Sequence, residues 1–197
     1  VQNLEKVVPY ACALYKKSSG TRVNVNRVQE SIEPVDPAQG LVVTLWNGQS
    51  FFEYSTNEWD WKTLKADTTE LAKKTLSTRS KNIPDSVVDP GPEVNKDFVG
   101  PLVQSPQLMS LSEKLSIAKS RVTEALSMDK SVTNAISILG DTTNEEIFVN
   151  RHKVMSQKIT RMDVIFVVFV TDGKNATDVH TGISKNGGLE VAQLSSK

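Results

Sequence analysis

The chain has 197 residues, 38% of them apolar, with 23 basic and 23 acidic side chains and a formal net charge of zero. That balance gives no global field to draw nucleic acid or an anionic membrane surface, and the single cysteine, Cys12, excludes an intrachain disulfide and any multi-cysteine metal site. No stretch reaches the roughly 18 apolar residues of a membrane-spanning helix, so a soluble protein of one large or two small domains is expected.

Val1 is not an initiator methionine and no signal peptide follows, which points to a start inside a longer precursor. Tyr10 to Lys17 and Thr21 to Ile32 are rich in strand formers, with Ser18-Ser19-Gly20 as the expected turn between them. Val23 and Val25 alternate with Arg22, Asn24 and Asn26, the pattern of a half-buried strand. Glu33 to Gly40, with Pro34 and Pro37, reads as a loop leading to Leu41–Trp46 and Gln49–Tyr54. Asn47-Gly48 between those strands suits a type I′ hairpin turn.

Thr56 or Asn57 can cap a following helix with an apolar or small stripe of Trp61, Leu64, Thr68, Leu71, Ala72 and Thr75. Lys62, Lys65, Glu70, Lys73 and Lys74 fill its other face, whose ordinary reading is a solvated surface. Ser80 to Pro106 carries Pro84, Pro90, Pro92, Pro101 and Pro106 and reads as a linker. Ser110-Leu111-Ser112-Glu113 is a capping box opening a helix to about Met128, with Leu111, Leu115, Ala118, Val122, Ala125 and Leu126 on one face.

Strands are then expected at Ser131–Leu139, Glu146–Asn150, Lys153–Thr160, Asp163–Thr171 and Lys174–Ile183. The run Val164 to Val170 does not alternate and predicts a central strand buried on both faces. Val25-Asn26-Arg27, Val42-Val43 and Asn47-Gly48 find counterparts, in the same order, in Val149-Asn150-Arg151, Val167-Val168 and Asp172-Gly173. The expected fold is therefore α+β, a pseudo-duplicated pair of antiparallel β-meander sheets, each packed by a helix. The domains would be 1–80, a linker at 81–108, and 109–197.

Candidate chemistry is sparse. His152 and His180 have no Cys or His partner at ligand spacing. Asp178 precedes His180, but the ordinary reading is a surface histidine at a sheet edge, and a hydrolase there would need a serine or cysteine within reach. Cys12, among Tyr10, Ala11, Ala13 and Leu14, reads as a small core residue. Asp141 and Glu145-Glu146 read as solvated acids in a loop, and Asn175-Ala176-Thr177 matches the glycosylation triplet without other signs of secretion. Trp46, Trp59 and Trp61 invite a stacking platform, although packing is the simpler role. No phosphate loop, nucleophile elbow or paired-carboxylate motif is present. No catalytic, cofactor-binding or metal-ligating residue is assigned.

The run Tyr10, Val23 to Gln29, Gly40 to Val43, Asn47-Gly48 and Phe51 to Asn57 resembles the N-terminal domain of the TldD/PmbA family. Ser131 to Leu139, Ile147 to Asn150 and the paired strands ending near Gly182 extend the resemblance over most of the chain. Phe51-Phe52-Glu53-Tyr54 is bulkier than the family's small-residue strand, and Asn150-Arg151-His152 stands where an Asn-Ser-x-Gly turn is common. Family members are known as modulators of DNA gyrase and, for TldD-type members, as zinc metallopeptidases.

The resemblance implies a cytoplasmic, non-catalytic scaffold domain of a peptidase acting on unfolded peptides. Its H-E-x-x-x-H helix and distant cysteine would lie in a C-terminal catalytic domain beginning after about Lys197. Zinc would sit there if the parent is TldD-type, and a second family subunit would complete a homo- or heterodimer. Direct nucleic-acid or membrane binding is not expected. The alternative is a stand-alone module that pairs a peptide along a sheet edge.

Overall fold

Strand formation runs past most of the punctuation in this sequence. The structure is a computed structural model that describes residues 1–58 and 60–194. In chain order it contains β1 (Tyr10–Asn26), β2 (Glu30–Trp46), β3 (Phe51–Thr56), α1 (Trp61–Ser77) and β4 (Val94–Val99). A 3-10 turn (Pro106–Leu108), α2 (Leu111–Met128), β5 (Val132–Val149), β6 (Lys153–Thr171), β7 (Ala176–Asn186) and α3 (Glu190–Leu194) follow. The fold is α+β. Hydrogen bonding orders the strands β3-β2-β1-β5-β6-β4, with β7 also paired to β6.

The expected turn at Ser18-Ser19-Gly20 is absent because β1 continues through it. A Cβ on Gly20 would lie 2.0 Å from the Asp141 carbonyl oxygen, so the glycine serves close backbone approach and not a turn. Glu33 to Gly40 is likewise strand. β3 pairs with β2 only over Leu41–Trp46, which leaves the Pro34–Pro37 stretch on a sheet edge, where proline is tolerated. The acidic loop is absent too: burial alternates from Ala135 through Thr143, carrying β5 across Asp141.

The chain divides into two compact units, the first made of Val1–Lys17, Ala38–Val99 and Glu145–Lys158 and the second of Ser18–Pro37, Gly100–Asn144 and Ile159–Lys197. This division crosses the expected boundaries at 80 and 108, because β1, β2, β5 and β6 each give one stretch to either unit. The two expected sheets therefore share strands. The supposed linker also contains β4, six proline-free residues between Pro92 and Pro101, which pair parallel with β6 from Val94↔Lys153 to Val99↔Lys158.

In the first unit the core is Leu4, Val8, Ala11, Val43, Leu45 and Ala72. α1 starts later than expected because Asp60, not Thr56 or Asn57, accepts the Thr63 amide at 3.0 Å. Leu64, Thr68, Ala72 and Thr75 are buried as the stripe predicted, and its lysines and Glu70 are exposed.

In the second unit α2 begins at the full capping box of Ser110 and Glu113. Ala118, Val122 and Ala125 pack on Val23, Val25, Ala135, Leu139, Met162 and Val164, together with Leu189, Val191 and Ala192. β6 is flanked here by β5 and β7, so it is interior, but it is not buried on both faces. Met162 and Val164 face the core while Ile165 is exposed.

Four hairpin turns share one device. Asn26 Oδ1 accepts the amides of Val28 and Gln29, Asn47 those of Gln49 and Ser50, Asn150 those of His152 and Lys153, and Asp172 those of Lys174 and Asn175, all at 2.7–2.9 Å. Because the side chain gathers these amides, the Asn or Asp keeps negative φ. Within these four turns only Gly48 (φ 104°) and Gly173 (φ 88°) have positive φ, so the expected I′ pair of left-handed residues does not form. Two of the three matched fragments thus fall on corresponding turns, and Val42-Val43 and Val167-Val168 lie inside β2 and β6. The likeness is local, since α1 follows β3 whereas α2 precedes β5, and it does not establish a duplicated unit.

Candidate functional site

A sheet six strands wide spans roughly 24 Å at ~4.8 Å per strand, whereas one helix covers about 10 Å of it. The first unit has that sheet and α1. Alternate residues place Ala13 and Tyr15 of β1, Leu41 and Val43 of β2, and Ile147 and Val149 of β5 on one sheet face. Trp61, Leu64, Lys65, Thr68 and Thr69 follow i, i+3, i+4, i+7, i+8 spacing on one side of α1. With Val1, Asn3 and Leu4 they enclose an apolar cleft of about 640 Å³, within the few-hundred to about 1,000 Å³ range of ligand pockets.

Lys65 is the one charged side chain on the cleft wall, and among the described residues it has no ion-pair partner. Thr68 and Thr69 donate their hydroxyl hydrogens to the carbonyls of Leu64 and Lys65, each at 2.6 Å. Trp61, expected in the packed stripe, is 74% exposed at the first helical position. Trp46 does pack. Its ring lies 4.5 Å from Phe51 across the hairpin, and Nε1 donates to the Ser86 carbonyl at 2.9 Å. Trp59 lies outside the described residues.

The remaining sequence candidates scatter. His152 Nδ1 sits 2.8 Å from the Gly91 carbonyl oxygen at the β5–β6 turn. Exposed His180 Nδ1 is 3.7 Å from Asp178 Oδ2 on β7, and among the described residues no serine or cysteine hydrogen-bonds to either. Cys12 is half-buried on β1, outside the buried core cluster where it was expected, near Tyr10. Burial raises the Tyr10 phenol above its ordinary pKa. Among the described residues no three His, Cys, Asp or Glu side chains gather at metal-binding distance.

The three acids expected together in a loop part company. Glu145 pairs with Lys158 at 2.8 Å and Glu146 with Lys16 at 2.9 Å, and those lysine hydrogen bonds lower both carboxyl pKa values. Asp141 is instead buried in the second unit. Lys114 Nζ reaches it at 2.5 Å and Thr21 Oγ1 at 2.8 Å, and the Thr21 hydroxyl donates to the same carboxylate at 2.6 Å. With Lys114 only 3% exposed, this triad ties α2 to the sheet and is closed to a ligand.

No protein-family model matches the sequence, and no curated protein matches it. Solved structures do. A candidate modulator of DNA gyrase from Bacteroides thetaiotaomicron matches at TM-score 0.70 and 16% identity over 94% of this chain. Another from Thermotoga maritima gives 0.73 and 11% over 94%, and TldE from Thermococcus kodakarensis gives 0.69 and 15% over 100%. The fold is the one in these modulator and TldE structures. This chain spans only 44%, 42% and 44% of their respective lengths, so in each of them it corresponds to part of a larger protein. The likeness is one of fold, and it carries no site residue across. No helix among the described residues is long and apolar enough to cross a membrane, which says nothing of a β-barrel.

Proposed function

We propose that this chain is a non-catalytic scaffold and substrate-enclosing domain of a TldD/PmbA-like metallopeptidase, whose longer protein cuts unfolded peptides. The observation that supports this reading is the fold shared, over 94–100% of this chain, with under half of each longer protein. In this reading the metal site belongs to a following catalytic domain, with zinc there if the parent is TldD-type. A second family subunit pairs with it as a homo- or heterodimer in the cytoplasm. The purified chain should then contain no stoichiometric zinc by atomic absorption and cut no unfolded peptide. Stoichiometric zinc accompanied by turnover would overturn the reading.

A second reading, a stand-alone module that pairs a peptide along a sheet edge, draws on β7. Among the described residues its strand neighbour is β6, from Thr171↔Ala176 to Arg161↔Asn186, and nearly every β7 side chain is exposed. Reading the gene beyond Lys197 separates the two. A downstream H-E-x-x-x-H favours the first, and a stop codon there favours the second.

A further inference from the structure

We propose that the second unit binds a free apolar α-amino acid as its zwitterion, on the sheet face turned away from α2, with the carboxylate on Arg22 and the ammonium on Asp163. This goes beyond the scaffold reading and stands without it, since every residue lining the cavity belongs to this unit.

Val23, Leu139, Met162 and Val164 face the core beneath α2, so their sequence neighbours Arg22, Ile138, Gly140, Asp163 and Ile165 stand on the opposite face. There they line a cavity of about 420 Å³, within the range of small-molecule sites. Gly140 leaves a hollow in it. Its φ is not positive, and an added Cβ would meet nothing closer than Asp163 Cβ at 3.7 Å, so neither backbone conformation nor crowding within the chain requires glycine there. Gly182, in the same wall, also lacks positive φ and would hold a Cβ at an ordinary 3.4 Å from the Val164 carbonyl oxygen. Glycine inside a strand weakens it, and it marks places where a ligand comes close to the backbone.

Charge decides the ligand. Arg22 has no ion-pair or hydrogen-bond partner among the described residues. Asp163 Oδ1 accepts from the Ser184 hydroxyl and, at 3.4 Å, from Arg161 Nε, whereas among the described residues Oδ2 accepts no hydrogen bond. Arg22 and Asp163 are the two charged side chains of the wall, one of each sign, so a zwitterion is matched at both ends and a simple anion or cation at one. On the same face of β1, Asn24 Oδ1 is buried without a donor, so this face is short of the N–H groups that an ammonium supplies. Val35, Ile138 and Ile165 give the apolar surface that favours an aliphatic side chain.

An amide NMR titration of the intact chain with L-leucine tests the proposal. Shifts should gather on Arg22, Gly140, Asp163 and Gly182, with a Kd of about 1 mM. 4-Methylpentanoate, which lacks the ammonium, and 3-methylbutylamine, which lacks the carboxylate, should each bind about threefold more weakly at low salt.

Arg22→Gln should erase the preference for leucine over 3-methylbutylamine while keeping that over 4-methylpentanoate, and Asp163→Asn should do the reverse. Gly140→Ala should weaken leucine at least about fivefold by overfilling the hollow, while the thermal midpoint holds or rises. No shift with leucine, equal affinity for the three ligands, or a preference that survives the loss of its own charge would overturn the proposal. So would undiminished leucine binding by Gly140→Ala, or a lowered thermal midpoint in that variant, which would make the glycine a requirement of the fold.

Discussion

The two units follow one recipe, a sheet with a helix on its face, and finish it differently. In the second unit five strands span roughly 19 Å, and two elements cover them: α2, brought close by Ala118, Ala125 and Ala135, and the Leu189–Ala192 segment. Its leftover polar space is closed by Lys114, Asp141 and Thr21. The first unit spreads six strands under α1 and the N-terminal turn, and the uncovered strip between α1 and β5 becomes the cleft. The second unit keeps smaller clefts of about 420 Å³ and about 310 Å³ on its own surface, so lateral coverage sets the size of the cleft and not its existence.

The largest test of that contrast is in the closed unit. Lys114→Met removes one partner of a buried pair and should destabilise the chain by about 3–5 kcal/mol in urea unfolding, whereas Lys114→Met with Asp141→Leu should recover most of the loss. Equal losses in the single and double variants would mean that the pair is hydrated and the unit is not closed.

In the first unit the corresponding polar tie is Asn47, which is 1% exposed. Its amide donates to the Thr75 carbonyl at 2.7 Å and to Thr78 Oγ1 at 3.2 Å, while Oδ1 holds the hairpin amides. Asn47→Ala should cost about 1–3 kcal/mol by the same measurement. Thermal unfolding unchanged by Asn47→Ala would show that the hairpin does not hold the end of α1.

The smallest difference should be in acid. The backbone amide of Thr63 lowers the Asp60 pKa, and the hydroxyl and amide of Ser110 lower that of Glu113. Folded values below the unfolded ones, about 3.9 and 4.3, make the stabilisation complete above the unfolded pKa. It is then lost as pH falls through the folded value. Both units should therefore weaken as pH falls below about 4, and Asp60→Asn or Glu113→Gln should flatten that decline modestly and alike. A decline confined to one variant would break the symmetry of the two helix caps.

What was legible in the sequence was local. Ser110 and Glu113 announce α2 because a capping box needs only neighbouring residues, and Asn47-Gly48 and Asp172-Gly173 announce their hairpins for the same reason, whereas the Asn26 turn interrupts Thr21 to Ile32, expected as one strand. The long strands were hidden because Ser18-Ser19-Gly20 and Pro34–Pro37 are ordinary breakers, overridden here by close strand approach and by an edge position. Lys114 was hidden because a lysine on a helix reads as solvated until its buried carboxylate, distant in sequence, is brought beneath it. Trp61 fitted the helical stripe by spacing, yet the sheet it would cover lies partly uncovered. The cleft is a property of widths, and widths are not written in any one segment.

The most direct measurement of the contrast between the two units is a two-dimensional amide NMR titration of the intact chain with a small apolar dye, anilinonaphthalene sulfonate. Shifts gathered on Ala13, Leu41, Lys65 and Ile147 of the first unit are predicted. Shifts confined to Ala176–Asn186 on β7, or spread over the α2 face of the second unit, would contradict it.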